Sequence, residues 1–319
     1  MDNNRVNEFV RDESFDGLLR EFNGVIENVK LEGLCSSECL SRSPLFIVGL
    51  PRSGTTLLTQ VLAETNGFSY PSNLIARFYM NPALGERVTK LLAPLLRANI
   101  SGFESNIGRT KEWNEPSEFG FFWSRFFDFT EHHAIQAESV TEEIRQSFVS
   151  ELNQWESESG KPVLLKAMIM NYSLEILYEM YPNALFIRTD RSYHDVVQSI
   201  IKSRRLVTGA DNNWFSCRPK NWRELNEIDD PVEKTVAQIK SIESSLDSFW
   251  EHLPSKNKEI CNYGEFCSKP KLWVQQLGKK IGLNLNWGDL PDEFIPNDSQ
   301  SFDEGILEAL KAYGLISHE

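Results

Sequence analysis

A chain of 319 residues and 36.7 kDa has room for one large α/β domain or two modest ones. With 40% hydrophobic and 25% charged residues it can build a buried core and is not a disordered chain. The 33 Lys/Arg against 46 Asp/Glu leave a net charge of −13, which excludes a general nucleic-acid or heparin binder but not a local basic pocket for a small anion.

The N-terminal stretch MDNNRVNEFVRDESFDG has no basic segment leading into an apolar run, which predicts no signal peptide. No stretch nears the ~18 apolar residues of a membrane span, so a soluble, cytoplasmic protein is expected. Val6, Phe9, Val10, Phe15, Leu18, Leu19, Phe22, Val25 and Ile26 recur at helical spacing and predict an amphipathic preface, broken near Gly17 or Gly24. Cys35 and Cys39 lack a second pair at zinc spacing. With Cys217, Cys261 and Cys267 they make an odd total of five, which fits reduced thiols better than a disulfide framework or a metal site.

PLFIVGL at 44–50 reads as a buried strand, and Gly54–Glu64 as a helix. Residues 72–98 read as mostly helical with an interruption at Pro82–Gly85, and 99–114 as an irregular loop. Phe119, Phe121, Phe122, Trp123, Phe126, Phe127 and Phe129 predict a buried helix face over 116–129. Helices are expected at 141–157, Tyr172–Met180, Tyr193–Ser203, Pro231–His252, Lys271–Ile281 and Glu304–Tyr313. Strands are expected at Pro162–Leu165, Ala184–Ile187 and Glu259–Asn262. Residues 204–230 carry Trp214 and Trp222 without periodicity and read as a lid or binding loop. Alternating strands and helices imply a parallel sheet with crossover helices, whose ligands bind at the carboxyl ends of the strands.

Gly49-Leu-Pro-Arg-Ser-Gly54-Thr55-Thr56 follows the first strand and opens a helix. Its GxxxxG spacing lets backbone N–H groups face an anion at the helix N-terminus. Thr55 stands where a nucleoside-triphosphate loop needs Lys, and Arg52 supplies a cation earlier instead.

SPLFIVGLPRSGTTLL resembles the 5′-phosphosulfate loop of sulfotransferases that use 3′-phosphoadenosine 5′-phosphosulfate (PAPS). The PRSGTT form is most similar to the broad bacterial family related to tyrosylprotein sulfotransferases. FIRTDRSYHDVVQS at 186–199 is similar to the family's 3′-phosphate element, placing Arg191 and Ser199 as phosphate ligands. KPVLLKAMIMNY resembles a strand end that points Lys166 at the transferred group, and CNYGEF resembles a late segment that brings Tyr263 to the nucleotide. A nucleotide-closing motif of the cytosolic members is absent, leaving Arg218, Lys220 and Arg223 as candidates to substitute.

The resemblance implies an α/β fold with a P-loop-like central parallel sheet flanked by helices, helical insertions and a helical preface. Segments of 1–43, 44–285 and 286–319 are expected as preface, sulfotransferase domain and C-terminal extension. It implies transfer of SO₃ from PAPS to an acceptor hydroxyl or amine, leaving adenosine 3′,5′-bisphosphate and needing no metal. Pro51, Arg52, Ser53, Gly54, Thr55, Thr56, Arg191, Ser199 and Tyr263 would hold the nucleotide. Arg52 and Lys166 would stabilise charge on the leaving oxygen. Glu115 or Glu118 in WNEPSEFGFFW would be the base, with His132 and His133 as alternatives. A small-molecule, lipid, carbohydrate or peptide acceptor is open, as are a kinase-like enzyme and a non-catalytic nucleotide binder.

Overall fold

Leu45–Gly49 is buried at every position, as a strand covered on both faces must be. It forms β1 in the interior of a four-stranded sheet. β2 (Leu164–Lys166) pairs on one side, β3 (Leu185–Asp190) on the other, and β4 (Lys258–Asn262) lies beyond β3. All three pairings are parallel, with Ile47 opposite both Lys166 and Ile187. This computed structural model describes residues 5–34, 43–95, 102–296 and 302–317. Cys35 and Cys39 therefore lie outside the described residues.

Along the chain the α-helices are α1 (Glu13–Ile26), α2 (Thr55–Glu64), α3 (Pro82–Leu92), α4 (Gly120–Phe126), α5 (Glu142–Ser159) and α6 (Leu174–Met180). They continue as α7 (Tyr193–Thr208), α8 (Trp222–Asn226), α9 (Pro231–His252), α10 (Tyr263–Ser268), α11 (Pro270–Ile281) and α12 (Glu304–Ala312). Successive strand residues point to opposite faces, so the sheet divides the core in two. Phe46, Val48, Leu165 and Phe186 pack with the α9 residues Val236, Ile239, Ile242 and Leu246 and with the aromatic segment around α4. Leu45, Ile47, Leu164 and Ile187 pack with Leu58, Val61 and Leu62 of α2 and with Val274 and Leu277 of α11. The expected α/β architecture and its P-loop-like parallel sheet are present.

Several expected boundaries differ. α1 runs unbroken through Gly17 and Gly24; both glycines sit on open faces while Leu19, Asn23 and Ile26 are buried, and tertiary packing outweighs their low helix propensity. Pro82–Gly85 is not an interruption. Asn81 accepts a hydrogen bond from the Leu84 N–H, and Pro82 starts α3 at a position where its missing N–H costs nothing. The aromatic helix is only seven residues long, because Phe119 immediately before it has a left-handed backbone. Its rings are nonetheless core: Phe119, Phe122, Trp123, Phe126, Phe127 and Phe129 are all buried. α7 extends to Thr208, which shortens the aperiodic segment after it. α10 was not anticipated; Asn262 caps it by accepting from the Glu265 N–H.

The chain leaves β1 for β2 on one flank and reaches β3 on the other. The carboxyl ends of β1, β2 and β3 thus face one crevice, where open α/β sheets hold their ligands. Among the described residues no helix is long and apolar enough to cross a membrane.

Candidate active site

The turn from β1 into α2 is held from several sides. Ser53, fully buried, donates its hydroxyl hydrogen to the Leu50 carbonyl at 2.7 Å and contacts the Thr189 hydroxyl on β3. Asn171, after β2, donates Nδ2–H to the Gly49 carbonyl at 2.8 Å. Gly54 has φ +98°, and a Cβ there would stand 2.4 Å from the Tyr263 ring, so only glycine fits both the backbone and the neighbour. Arg52 takes φ +69°, a conformation that costs a side-chain-bearing residue of order 1 kcal/mol and persists only where the surroundings enforce it.

Four expected nucleotide residues, Arg52, Arg191, Ser199 and Tyr263, meet at this turn. Arg52 Nε donates to Ser199 Oγ at 3.0 Å, and Arg191 Nη1 donates to the Arg52 carbonyl at 2.8 Å. The Arg191 guanidinium lies 4.7 Å from the centre of the Tyr263 ring. Burial, and then the neighbouring Arg191 charge, hold Arg52 below its ordinary pKa, with Glu118 and Tyr263 acting in the opposite sense. Two adjacent guanidinium groups, with the charge on Arg52 disfavoured, form a site that an anion would relieve.

Lys166, the last residue of β2, reaches into the same crevice. Its Nζ donates to Thr56 Oγ1 at 3.0 Å and to Glu118 Oε1 at 2.7 Å. The Lys166 side chain is 8% exposed and that of Glu118 is 63% exposed to the cavity. Desolvation by the enclosing cavity walls opposes ionisation of Glu118, but the charge and hydrogen bond of Lys166 outweigh it, helped by Arg52 and Arg109, and its pKa falls below the ordinary carboxyl value. Glu118 is therefore a carboxylate at neutral pH.

The structure separates the two glutamates that the sequence leaves equivalent. Glu115 is buried, and its Oε2 accepts the N–H groups of Lys111 and Glu112 at 2.9 and 3.0 Å. Its Oε1 accepts from Gln60 Nε2 at 3.3 Å. It fastens the 104–115 loop to α2 and is not among the residues lining the cavity, whereas Glu118 is. Both glutamates precede α4 rather than opening it. His133 does line the cavity, but its Nδ1 accepts from the Arg218 N–H at 2.9 Å. Burial, and next the Arg218 charge, lower its pKa to about 4. His132 is not among the lining residues.

The cavity has a volume of about 1960 Å³ and extends from this loop to α1 and to the 209–222 segment. That segment is fastened from below. Buried Lys234 donates to the carbonyls of Asn212 and Asn226, and Gln238 to those of Phe215 and Cys217. Trp214 and Trp222 pack edge to face at 6.1 Å on the cavity wall, and Arg218 lies over Trp222 at 5.1 Å. Of the expected substitutes for a closing motif, Arg218 lines the cavity, whereas Lys220 and Arg223 do not.

A part of the site absent from the sequence reading is a hairpin turn at Asn106–Arg109. Ile107 and Gly108 both have positive φ, as the two central residues of a type I′ turn require. A Cβ on Gly108 would lie 3.0 Å from Glu118 Oε1 and 3.7 Å from Lys166 Nζ. The only sequence signal was one glycine in an irregular loop. Among the described residues no group of three or more His, Cys, Asp or Glu is placed to hold a metal.

A profile described as the sulfotransferase family matches residues 44–289. The chain is 22% identical over 272 residues to protein-tyrosine sulfotransferase A of Caenorhabditis elegans, a match that spans 79% of this chain and 63% of that relative. It thus spans less than two thirds of the length of this curated relative. The fold is similar to those of sulfotransferase STF9 from Mycobacterium avium and sulfotransferase STF1 from Mycobacterium tuberculosis H37Rv. Each superposes with a TM-score of 0.53, at 16% and 14% identity respectively. The STF9 match covers 85% of this chain and 76% of the other, and the STF1 match 86% and 77%.

Proposed function

This chain belongs to the sulfotransferase family, and from that membership we propose that it moves a sulfuryl group from PAPS to an acceptor hydroxyl. The observation that carries the reading is the meeting of three parts at the carboxyl edge of the sheet. They are an anion-cradling turn, a lysine bonded to that turn's Thr56, and a carboxylate 2.7 Å from the lysine.

The residues present fit the donor. Arg191 and Ser199 lie at one end of the turn, where a 3′-phosphate needs a guanidinium and a hydroxyl. The Tyr263 ring covers Gly54 and backs Arg191, and Pro51, Gly54, Thr55 and Thr56 line the cavity. Ser53 does not face out; its bonds to Leu50 and Thr189 set the turn.

In the reaction the acceptor oxygen forms a bond to sulfur while the bond from sulfur to the bridging oxygen breaks. The bridging oxygen leaves with the bond's electrons as part of adenosine 3′,5′-bisphosphate. Lys166, Arg52 and the turn's N–H groups stabilise the negative charge that accumulates there. Glu118 receives the hydroxyl proton; its lowered pKa keeps it ionised at neutral pH, and its place beside Lys166 in the cavity, rather than high basicity, suits it to the role. Lys166 serves both steps, because it holds the carboxylate in place and faces the turn.

Thermal denaturation in the presence of EDTA tests the donor assignment. Adenosine 3′,5′-bisphosphate should raise the melting temperature without added metal. Stabilisation by ATP with magnesium and none by the bisphosphate would refute it.

A further inference from the structure

The cavity is electropositive in an acidic protein. Nine Lys and Arg side chains line it against four Asp and Glu, although the whole chain carries −13. The donor accounts for Arg52, Lys166 and Arg191. It does not account for Arg5, Arg11 and Arg109, which line the same cavity. Arg109 follows Gly108, the residue packed against Glu118 and Lys166. Arg5 and Arg11 come from the segment preceding α1, which lines one side of the cavity. The Val6 N–H bonds to the Val207 carbonyl on α7, and the Glu8 side chain and carbonyl accept from Asn106 and Arg109 of the hairpin. Among the described residues none of the three arginines has a carboxylate within ion-pair distance.

Like charges gathered together are unfavourable: burial first, then Arg11 and Arg109, lower the pKa of Arg5, and only Glu118 acts in the opposite sense. Two of the side chains are also pre-oriented. Arg109 lies 4.9 Å from the centre of the Phe9 ring, and Arg11 lies 6.0 Å from that of Phe121. Aromatic faces hold guanidinium planes in place and reduce the side-chain entropy lost when an anion arrives.

Resting on the sulfuryl-transfer reading above, we propose that the acceptor is a small molecule bearing an acidic group besides its hydroxyl, a carboxylate or a phosphate monoester. Arg5, Arg11 and Arg109 hold that group while the hydroxyl lies at Glu118. A small molecule fits because the segment at 5–9 lines the cavity while bonded to both α7 and the hairpin, and because the cavity volume exceeds what one nucleotide-sized ligand fills. The N-terminal preface is thus part of acceptor recognition.

Calorimetry on protein saturated with adenosine 3′,5′-bisphosphate tests this with matched pairs. The probes are para-hydroxyphenylacetate against para-hydroxyphenylethanol, and ω-hydroxydodecanoate and ω-hydroxydodecyl phosphate against dodecanediol. At least one acidic compound should bind about tenfold tighter than its neutral twin, the scale of one charge-assisted contact. The two dodecyl acids distinguish a carboxylate from a phosphate source. That preference should shrink with salt and disappear in Arg11→Gln, while affinity for the bisphosphate stays unchanged. Arg5→Gln should act in the same sense, which guards against a misfolded Arg11 variant. Equal affinity within every pair, no binding by any probe, a preference that survives Arg11→Gln, or turnover confined to acidic peptides would overturn the proposal. Failure of the bisphosphate itself to bind would instead overturn the donor reading, and this one with it.

Discussion

Replacing Glu118 by Gln removes one charge and one proton acceptor while keeping shape. With 63% of the side chain exposed, its ion pair with Lys166 contributes no more than about 1 kcal/mol, so the melting temperature should barely move. Catalysis should fall much further. A positioned base contributes about 10²–10⁴ in rate, and the variant's kcat should drop by that factor. Nucleotide binding should not weaken, because Lys166 keeps Thr56 and loses only a competing carboxylate. The assay follows release of adenosine 3′,5′-bisphosphate from PAPS with phenols of graded acidity. The deficit should be largest for an unsubstituted phenol and nearly vanish for a nitrophenol already ionised at mildly alkaline pH. Glu115→Gln supplies the control: it should lower stability through the loop bonds to Lys111 and Glu112 and leave the dependence on phenol acidity unchanged. An equal deficit across the phenols would show that Glu118 positions Lys166 and accepts no proton, and a wild-type rate would remove it from the site.

Arg191→Ala should erase the preference for adenosine 3′,5′-bisphosphate over its 3′-hydroxyl analogue, a loss of about 1.5–3 kcal/mol measured by calorimetry. Gly108→Ala places a methyl 3.0 Å from Glu118 Oε1 on a backbone with φ +82°. It should lower kcat at least about tenfold while bisphosphate affinity holds, since a small misplacement of a catalytic group is that costly. His133 has a folded-state pKa of about 4, below its unfolded value, so the unfolded chain binds more protons between the two. The stability it contributes should be complete above about pH 6.5 and should decline as pH falls towards 4. A denaturant titration series should show this slope in the wild type and a shallower one in His133→Gln.

Much of the fold was legible because its signals are local. α9 begins and ends where the sequence reading put it, since Asp230 caps it and Pro231 occupies its first turn. The apolar run of β1 and the glycine spacing after it define the turn without tertiary information. The glycines of α1 signal a break, but local propensity carries no information on the burial of Asn23, which bonds across to the Arg77 carbonyl and the Met80 N–H. The choice between Glu115 and Glu118 had no local signal, because three residues in an irregular turn can face any direction. Arg5, Arg11 and Gly108 were invisible for the same reason: the segments that carry them meet through Glu8 bonds to Asn106 and Arg109, about a hundred residues apart in sequence.

The central claim, sulfuryl transfer at the Lys166–Glu118 pair, is tested most directly with PAPS radiolabelled on sulfur and a panel of hydroxyl acceptors. Label should appear on an acceptor in equal amount to the adenosine 3′,5′-bisphosphate released, with no nucleoside triphosphate present, and Lys166→Ala should abolish both. Tight nucleotide binding with label left on the donor across the panel, or transfer unaffected in Lys166→Ala, would contradict it.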